Sequence, residues 1–161
     1  MITRDELKRR FEYEPDTGRF RRLVKRSPNH LDYPCARHSR GYSQLSIDNR
    51  TYLIHRLVWL YVHGYMPEQI DHINGDRADN RLCNLREVTQ SLNNANSARR
   101  RDNTSGFKGV FFCRQKSKWT ARIKPPGMKR LHLGFFTDPQ DAANAYAKAA
   151  TEHFGDYARA A

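Results

Sequence analysis

The run Ser97-Ala98-Arg99-Arg100-Arg101-Asp102-Asn103-Thr104-Ser105 breaks this chain into two parts. It is polar, has no apolar period and is crowded with arginine, so it reads as a linker rather than an element. It divides the 161 residues into 1–98 and 105–161, joined by 99–104. Pieces of that size lie near the lower limit for a self-sufficient core, so each must be a small unit of short elements.

In the first part, Thr3 as N-cap, Glu6 three positions on, and Leu7 and Phe11 on one face predict a helix over 4–13. Pro15-Asp16-Thr17-Gly18 is a turn signal before a strand over 19–24, and 25–40 has no clear period and reads as loop. Tyr42, Leu45 and Ile47, the turn Asp48-Asn49, and the return Tyr52-Leu53-Ile54 predict a hairpin. Leu57, Val58, Leu60 and Tyr61 fit a helix over 55–62, stopped by Gly64 and Pro67, with His55 and His63 as packing or capping residues first and site contributors as the lesser alternative. A strand over 70–73, a strand over 85–88 and a helix capped by Thr89 then form a strand-loop-strand-helix unit over about 68–98.

Beyond the linker the period changes to two. Strands are expected over 107–113, 118–124 and 130–135, parted by Gln115-Lys116-Ser117 and Pro125-Pro126-Gly127. A helix follows, capped by Asp138 with Pro139 at its first position and ended by Gly155. Its apolar face is Ala142, Tyr146, Ala149, Ala150 and His153, small enough to lie close against a sheet. The fold class is α+β. Lys118, Thr120, Arg122 and Lys124 alternate with Trp119, Ala121 and Ile123, and Arg130 and His132 lie opposite Leu131 and Leu133. One sheet face is thus expected to be cationic and the other apolar.

Charge narrows the partners. The chain has 29 Lys+Arg against 17 Asp+Glu, net +12, and residues 99–130 hold eleven basic residues and one acid, Asp102. That balance favours a polyanion over a neutral partner. Cys35, Cys83 and Cys113 lie far apart with no C-x-x-C pair, which argues against a zinc ribbon or a disulfide framework. The start lacks an apolar signal core and no apolar run reaches membrane-spanning length. A soluble, intracellular, cytoplasmic protein is expected, with no membrane partner and no small-molecule cofactor.

The chemistry concentrates in Ile70-Asp71-His72-Ile73-Asn74-Gly75-Asp76 and in Asn80-Arg81-Leu82-Cys83-Asn84-Leu85-Arg86, followed by Asn93. A phosphodiester repels nucleophiles by its own charge and has a poor leaving group. A divalent cation offsets the developing charge, and a neutral imidazole removes a proton from water. His72 suits the base, Asp71 and Asn93 offer hard oxygen ligands suited to magnesium, and Asn84 would orient the imidazole or the phosphate. Asn80, Asn94 and Asn96 are alternatives, Asn80 better placed as a brace of the loop.

The run from Tyr52 to Asn93 (Tyr-Leu-Ile-His-Arg-Leu-Val-Trp, Met-Pro, Ile-Asp-His-Ile-Asn-Gly-Asp, Asp-Asn-Arg-Leu, Asn-Leu-Arg) resembles the HNH endonucleases of phage and homing type. The resemblance implies a ββα-metal fold that cuts DNA with one divalent ion, magnesium or manganese. It also implies His72 as general base, Asp71 and Asn93 as metal ligands, and Asn84 as the motif's middle Asn; Asn93 replaces the usual His.

From Ser105 to about Tyr157, Gly-Phe-Lys-Gly-Val, Lys-Trp-Thr-Ala-Arg-Ile, Leu-Gly-Phe-Phe and Asp-Ala-Ala-Asn-Ala-Tyr-Ala-Lys-Ala-Ala resemble the ethylene-response-factor (APETALA) DNA-binding domain of plants, also found appended to phage nucleases. The resemblance implies a sheet laid in the major groove of double-stranded DNA, with Arg114, Lys116, Lys118, Arg122, Lys124, Arg130 and His132 facing it. Phe111 and Cys113 stand where plant members commonly carry arginine, and His132 replaces a tryptophan. A sequence-selective, metal-dependent DNA endonuclease leaving 5′-phosphate and 3′-hydroxyl ends is expected. The rival is a DNA-binding regulator that keeps the HNH fold only as scaffold.

Overall fold

The structure is a computed structural model and describes residues 2–23, 35–37, 40–99 and 102–158. The chain forms two compact units, Met1–Val88 and Thr89–Ala161.

The first unit opens with α1 (Arg4–Arg10), capped by the Thr3 hydroxyl, which accepts from the Glu6 N–H. The helix expected over 4–13 stops at Arg10, and Phe11–Glu14 forms β1, paired antiparallel with β2 (Arg19–Arg22). Leu7 and Phe11 are spaced as on a helix, but Phe11, Tyr13 and Phe20 are all buried, a period-two pattern that wins because it stacks three aromatic rings inward. Val24 and most of the loop expected over 25–40 lie outside the described residues; within that loop, β3 (Ala36–Arg37) pairs with β4 (Ser43–Ile47).

β4 returns through Asp48-Asn49 into β5 (Arg50–Leu53). Both turn residues have positive φ, 49° and 60°, as a two-residue type I′ hairpin requires. Arg10 grips the Asp48 carboxylate at 2.6 and 2.9 Å, tying α1 to this turn.

α2 (Ile54–His63) follows directly and buries Ile54, Leu57, Val58 and Leu60 against Leu7, Phe11, Phe20 and Leu45. Gly64 ends it in the left-handed conformation, and the Arg4 guanidinium donates to the Tyr61 and Val62 carbonyls that the helix leaves unpaired. β6 (Gln69–His72) and β7 (Leu85–Val88) then form a two-stranded sheet with Asp71 opposite Arg86 and His72 opposite Leu85. The strand expected over 70–73 is displaced by one residue: Ile73 turns outward, 44% exposed.

The second unit begins with α3 (Gln90–Asn96), capped by Thr89. Three strands, β8 (Val110–Cys113), β9 (Lys118–Ile123) and β10 (Leu131–Phe136), make an antiparallel sheet in the order β10-β9-β8. α4 (Pro139–Phe154) packs on it, its Ala142 meeting Val110 and Ala121. The approach is close enough that a Cβ on Gly109, at φ +72°, would lie 2.2 Å from the Tyr146 ring. Ala95 of α3 joins Ile123, Ala149, Ala150 and Phe154, and Lys108 donates to the Ala95 and Ser97 carbonyls, so α3 packs with this unit rather than ending the preceding one.

The expected strand alternation holds in β9 and breaks in β10. His132 pairs with Arg122, but Gly134 pairs with Ala121, so a bulge at Leu133 shifts the register by one. Phe135, which strict alternation would place with Leu131 and Leu133, instead pairs with Thr120 on the same face as His132.

Candidate active site

β6 carries Asp71 and His72 to its end, where both side chains are buried. Across the strand pair, Arg86 donates Nε–H and Nη2–H to Asp71 Oδ2 at 3.0 and 2.9 Å. This fixes the carboxylate rotamer and sets positive charge against one of its oxygens.

The chain then loops from Ile73 to Asn84, and the loop's polar residues bind one another. Asn84 spends both ends of its amide inside the loop: Oδ1 accepts from the Asn74 N–H at 3.0 Å and Nδ2 donates to the Asp79 carbonyl at 2.8 Å. Asp79 takes Arg81 on both oxygens and Asn74 on one. The Arg81 guanidinium, outweighing burial, holds the Asp79 carboxyl down at about 2. Asn84, expected to orient the imidazole or the phosphate, thus directs these two amide bonds into the loop. The amide that faces the imidazole is Asn80, 2% exposed, with Oδ1 at 3.4 Å from His72 Nε2.

Asn80 also sets the tautomer. Its Nδ2 donates to the Ala78 carbonyl at 2.9 Å, so its oxygen is the end turned to the ring and can only accept. A neutral His72 then carries its proton on Nε2 and its lone pair on Nδ1. Burial lowers the His72 pKa below its ordinary value, against the opposing pull of Asn80 and of Asp71, Asp76 and Asp79. That shift favours the neutral imidazole, the form able to accept a proton.

Two further rings enclose it. His55, from the first turn of α2, meets His72 edge to face with centroids 5.1 Å apart, and Tyr42 lies 5.2 Å from His55 and 6.1 Å from His72. Burial drives the His55 pKa down to about 3, helped by repulsion from His72 and Arg56. His55, expected to pack or cap more than to contribute to a site, borders the candidate site; His63 packs on Trp59 instead.

The loop is held from behind by the first hairpin. Tyr13 of β1 donates its hydroxyl to the Asn80 carbonyl at 3.0 Å and accepts from the Leu82 N–H at 2.9 Å. Gly18, between β1 and β2 at φ +69°, lies so close that a Cβ there would stand 2.5 Å from the backbone of Asn80 and Arg81.

Residues 52–95 match the family model described as HNH endonuclease. The chain is also similar to Protein 3.8 of Escherichia phage T7, with 32% identity over 75 residues, 45% of this chain and 62% of that protein. The match thus spans less than two thirds of the relative's length. No solved structure matches. The matched segment holds Asp71, His72, Asn80, Asn84, Arg86 and Asn93.

Among the described residues, no group of three or more His, Cys, Asp or Glu could hold a metal ion. The donor chemistry at Asp71 still fits a hard cation, because the donor is a buried, orientationally fixed carboxylate and amide and water oxygens complete such shells. Asn93 lies in α3, half-buried, its N–H bonded to the Thr89 carbonyl. No helix among the described residues is long and apolar enough to cross a membrane.

The residues expected to face DNA are all exposed. Lys118, Arg122 and His132 share one face of the C-terminal sheet by register, Arg114 and Lys116 occupy the β8–β9 turn, and Lys124 and Arg130 lie just past the strand ends. Thr120, expected to point outward with them, is on that face but only 2% exposed, because Phe111 and Phe135 flank it.

Proposed function

We propose that this protein is a metal-dependent DNA endonuclease of the HNH type, with the C-terminal sheet and helix as a sequence-selective, ethylene-response-factor-like DNA-binding domain. The observation that carries this reading is a buried His72 with Nε2 turned to Asn80 Oδ1, next to a carboxylate fixed by Arg86, inside the segment that matches the nuclease family.

In this reading His72 Nδ1 takes the proton of the water that attacks phosphorus, while Asn80 holds the ring through Nε2. Arg86 and Asp71 keep the carboxylate in one orientation, and the loop braced by Asn84 shapes the approach of the phosphate. Asn93 is the second metal ligand by its place in the motif. Bound by Asp71 and Asn93, magnesium or manganese would supply charge neutralisation at the phosphate. The 3′ oxygen departs, leaving 5′-phosphate and 3′-hydroxyl ends. The basic groups Arg114, Lys116, Lys118, Arg122, Lys124, Arg130 and His132 contact the duplex.

The test is a supercoiled-plasmid assay with and without magnesium, wild type against His72→Ala. Nicked or linear product that requires both the metal and His72 supports the reading. Equal cleavage by His72→Ala removes His72 from the base role, and absence of product on plasmid and phage DNA leaves a DNA-binding protein.

A further inference from the structure

The C-terminal sheet carries more than cations on its open face. Phe111 pairs with Thr120 and Thr120 with Phe135, so the three side chains form one row across the sheet. The two rings are 54% and 42% exposed, while the threonine between them is 2% exposed and its hydroxyl has no partner among the described residues. His132 lies against Phe135 with ring centroids 4.6 Å apart, extending the apolar strip.

Basic groups stand on both sides of this row. Lys118 lies two residues before Thr120 on the same face, Arg122 two residues after it, and Lys124 and Arg130 just beyond. At the rise of a strand, Lys118 and Arg122 are separated by roughly 13 Å. That span is close to the major groove's width of about 12 Å. A duplex offers a line of phosphates on each side of such a groove, whereas a single strand offers one and would leave one rank of cations unmatched.

We propose that this face reads thymine, with Phe111 and Phe135 taking 5-methyl groups in the major groove while the flanking cations hold the two phosphate lines. The inference rests on the reading of this sheet as DNA-binding and adds what it recognises. A phenyl ring has no hydrogen bond to offer a base edge, and the group in the major groove that gains from apolar contact is the thymine methyl. The bulge at Leu133 is what makes the row, because without it Phe135 would join the face covered by α4.

The test uses the full chain without divalent metal, so that no cutting intervenes. The tightest binders are selected from a random duplex pool and resynthesised with uracil for thymine, one position at a time. Loss of one buried methyl is expected to weaken binding about fourfold at one or two positions. Phe111→Ala and Phe135→Ala should each remove the penalty at one of those positions. Lys118→Ala should weaken both DNAs alike and reduce the salt slope by about one. Equal binding of thymine and uracil duplexes by wild type, with salt-sensitive affinity intact, overturns the inference and leaves the DNA-binding reading standing. Discrimination that survives in both Phe variants also overturns it. Tighter binding of oligothymidine than of any duplex overturns it in favour of base stacking. Failure to retain any duplex overturns the DNA-binding reading and the inference together.

Discussion

Tyr13→Phe isolates the clamp behind the His72 loop. The substitution keeps the ring and its contacts with Phe20 at 5.4 Å and Tyr61 at 6.0 Å, so core packing is unchanged. It deletes the hydroxyl that burial keeps protonated, its pKa raised to about 12, and with it both bonds to the loop backbone. Each such bond contributes about 0.5–1.5 kcal/mol net, so the variant should lose about 1–3 kcal/mol. Urea unfolding followed by Trp59 fluorescence, in a Trp119→Phe background, reads the first unit. The midpoint should fall with m unchanged. Because the carbonyl it releases belongs to Asn80, which faces His72, any plasmid cleavage should fall as well. A stability loss below about 0.3 kcal/mol, well under the net contribution of a single bond, would show that the loop holds itself and that the hairpin does not anchor it.

Gly18→Ala presses on the same loop from outside: left-handed strain and the 2.5 Å approach to Asn80 and Arg81 together should cost about 2–4 kcal/mol in the same urea assay. His55 makes the first unit acid-labile. Its folded pKa of about 3 lies below the ordinary 6.5, so the unfolded chain binds the extra proton; the stability is full above pH 6.5 and is lost as pH falls from there toward 3. The slope that His55 contributes in that window is about 1.4 kcal/mol per pH unit at most, and His55→Phe should remove that share, leaving the part due to His72, when urea midpoints are compared at pH 7, 6 and 5. Thr120→Val replaces a buried hydroxyl that has no partner among the described residues by a methyl of similar shape and should stabilise the second unit by about 1 kcal/mol, read by thermal unfolding.

The elements with strong local signals were legible in the sequence. Asp48-Asn49 between alternating apolar residues, Gly64 after an apolar helix, Thr89 before Gln90, and Asp138-Pro139 before the alanine-rich run each mark a boundary by backbone chemistry that acts within a few residues. Asp71 and His72 stood out for the same reason. What could not be read locally is the division of labour among the asparagines. Asn80 and Asn84 have the same functional group four residues apart, and which amide turns to the ring depends on the folded path of the loop, seen in the bonds of Asn80 to Ala78 and of Asn84 to Asn74 and Asp79 and in the contacts of Tyr13 and Gly18 behind it. Arg86 had a signal that could have found it, since a cross-strand position opposite Asp71 follows once the β6–β7 register is drawn.

The second unit shows how one residue changes a surface. Alternation from Leu131 through Leu133 assigns Phe135 to the core. The bulge places Leu133 against the helix-side core together with Leu131 and lets Gly134, at φ +132°, carry the chain across before Phe135 emerges beside Thr120. A glycine inside a strand is the sequence trace of that event, because it weakens a regular ladder and tolerates an irregular one. Thr120 bears the consequence: it is buried beside Phe135, which the alternating pattern sends elsewhere, and its hydroxyl has no partner among the described residues. A face that composition describes as purely cationic therefore has an apolar centre. That centre, rather than the charge around it, is where base preference would reside, since phosphate contacts position a protein on DNA without reporting its sequence.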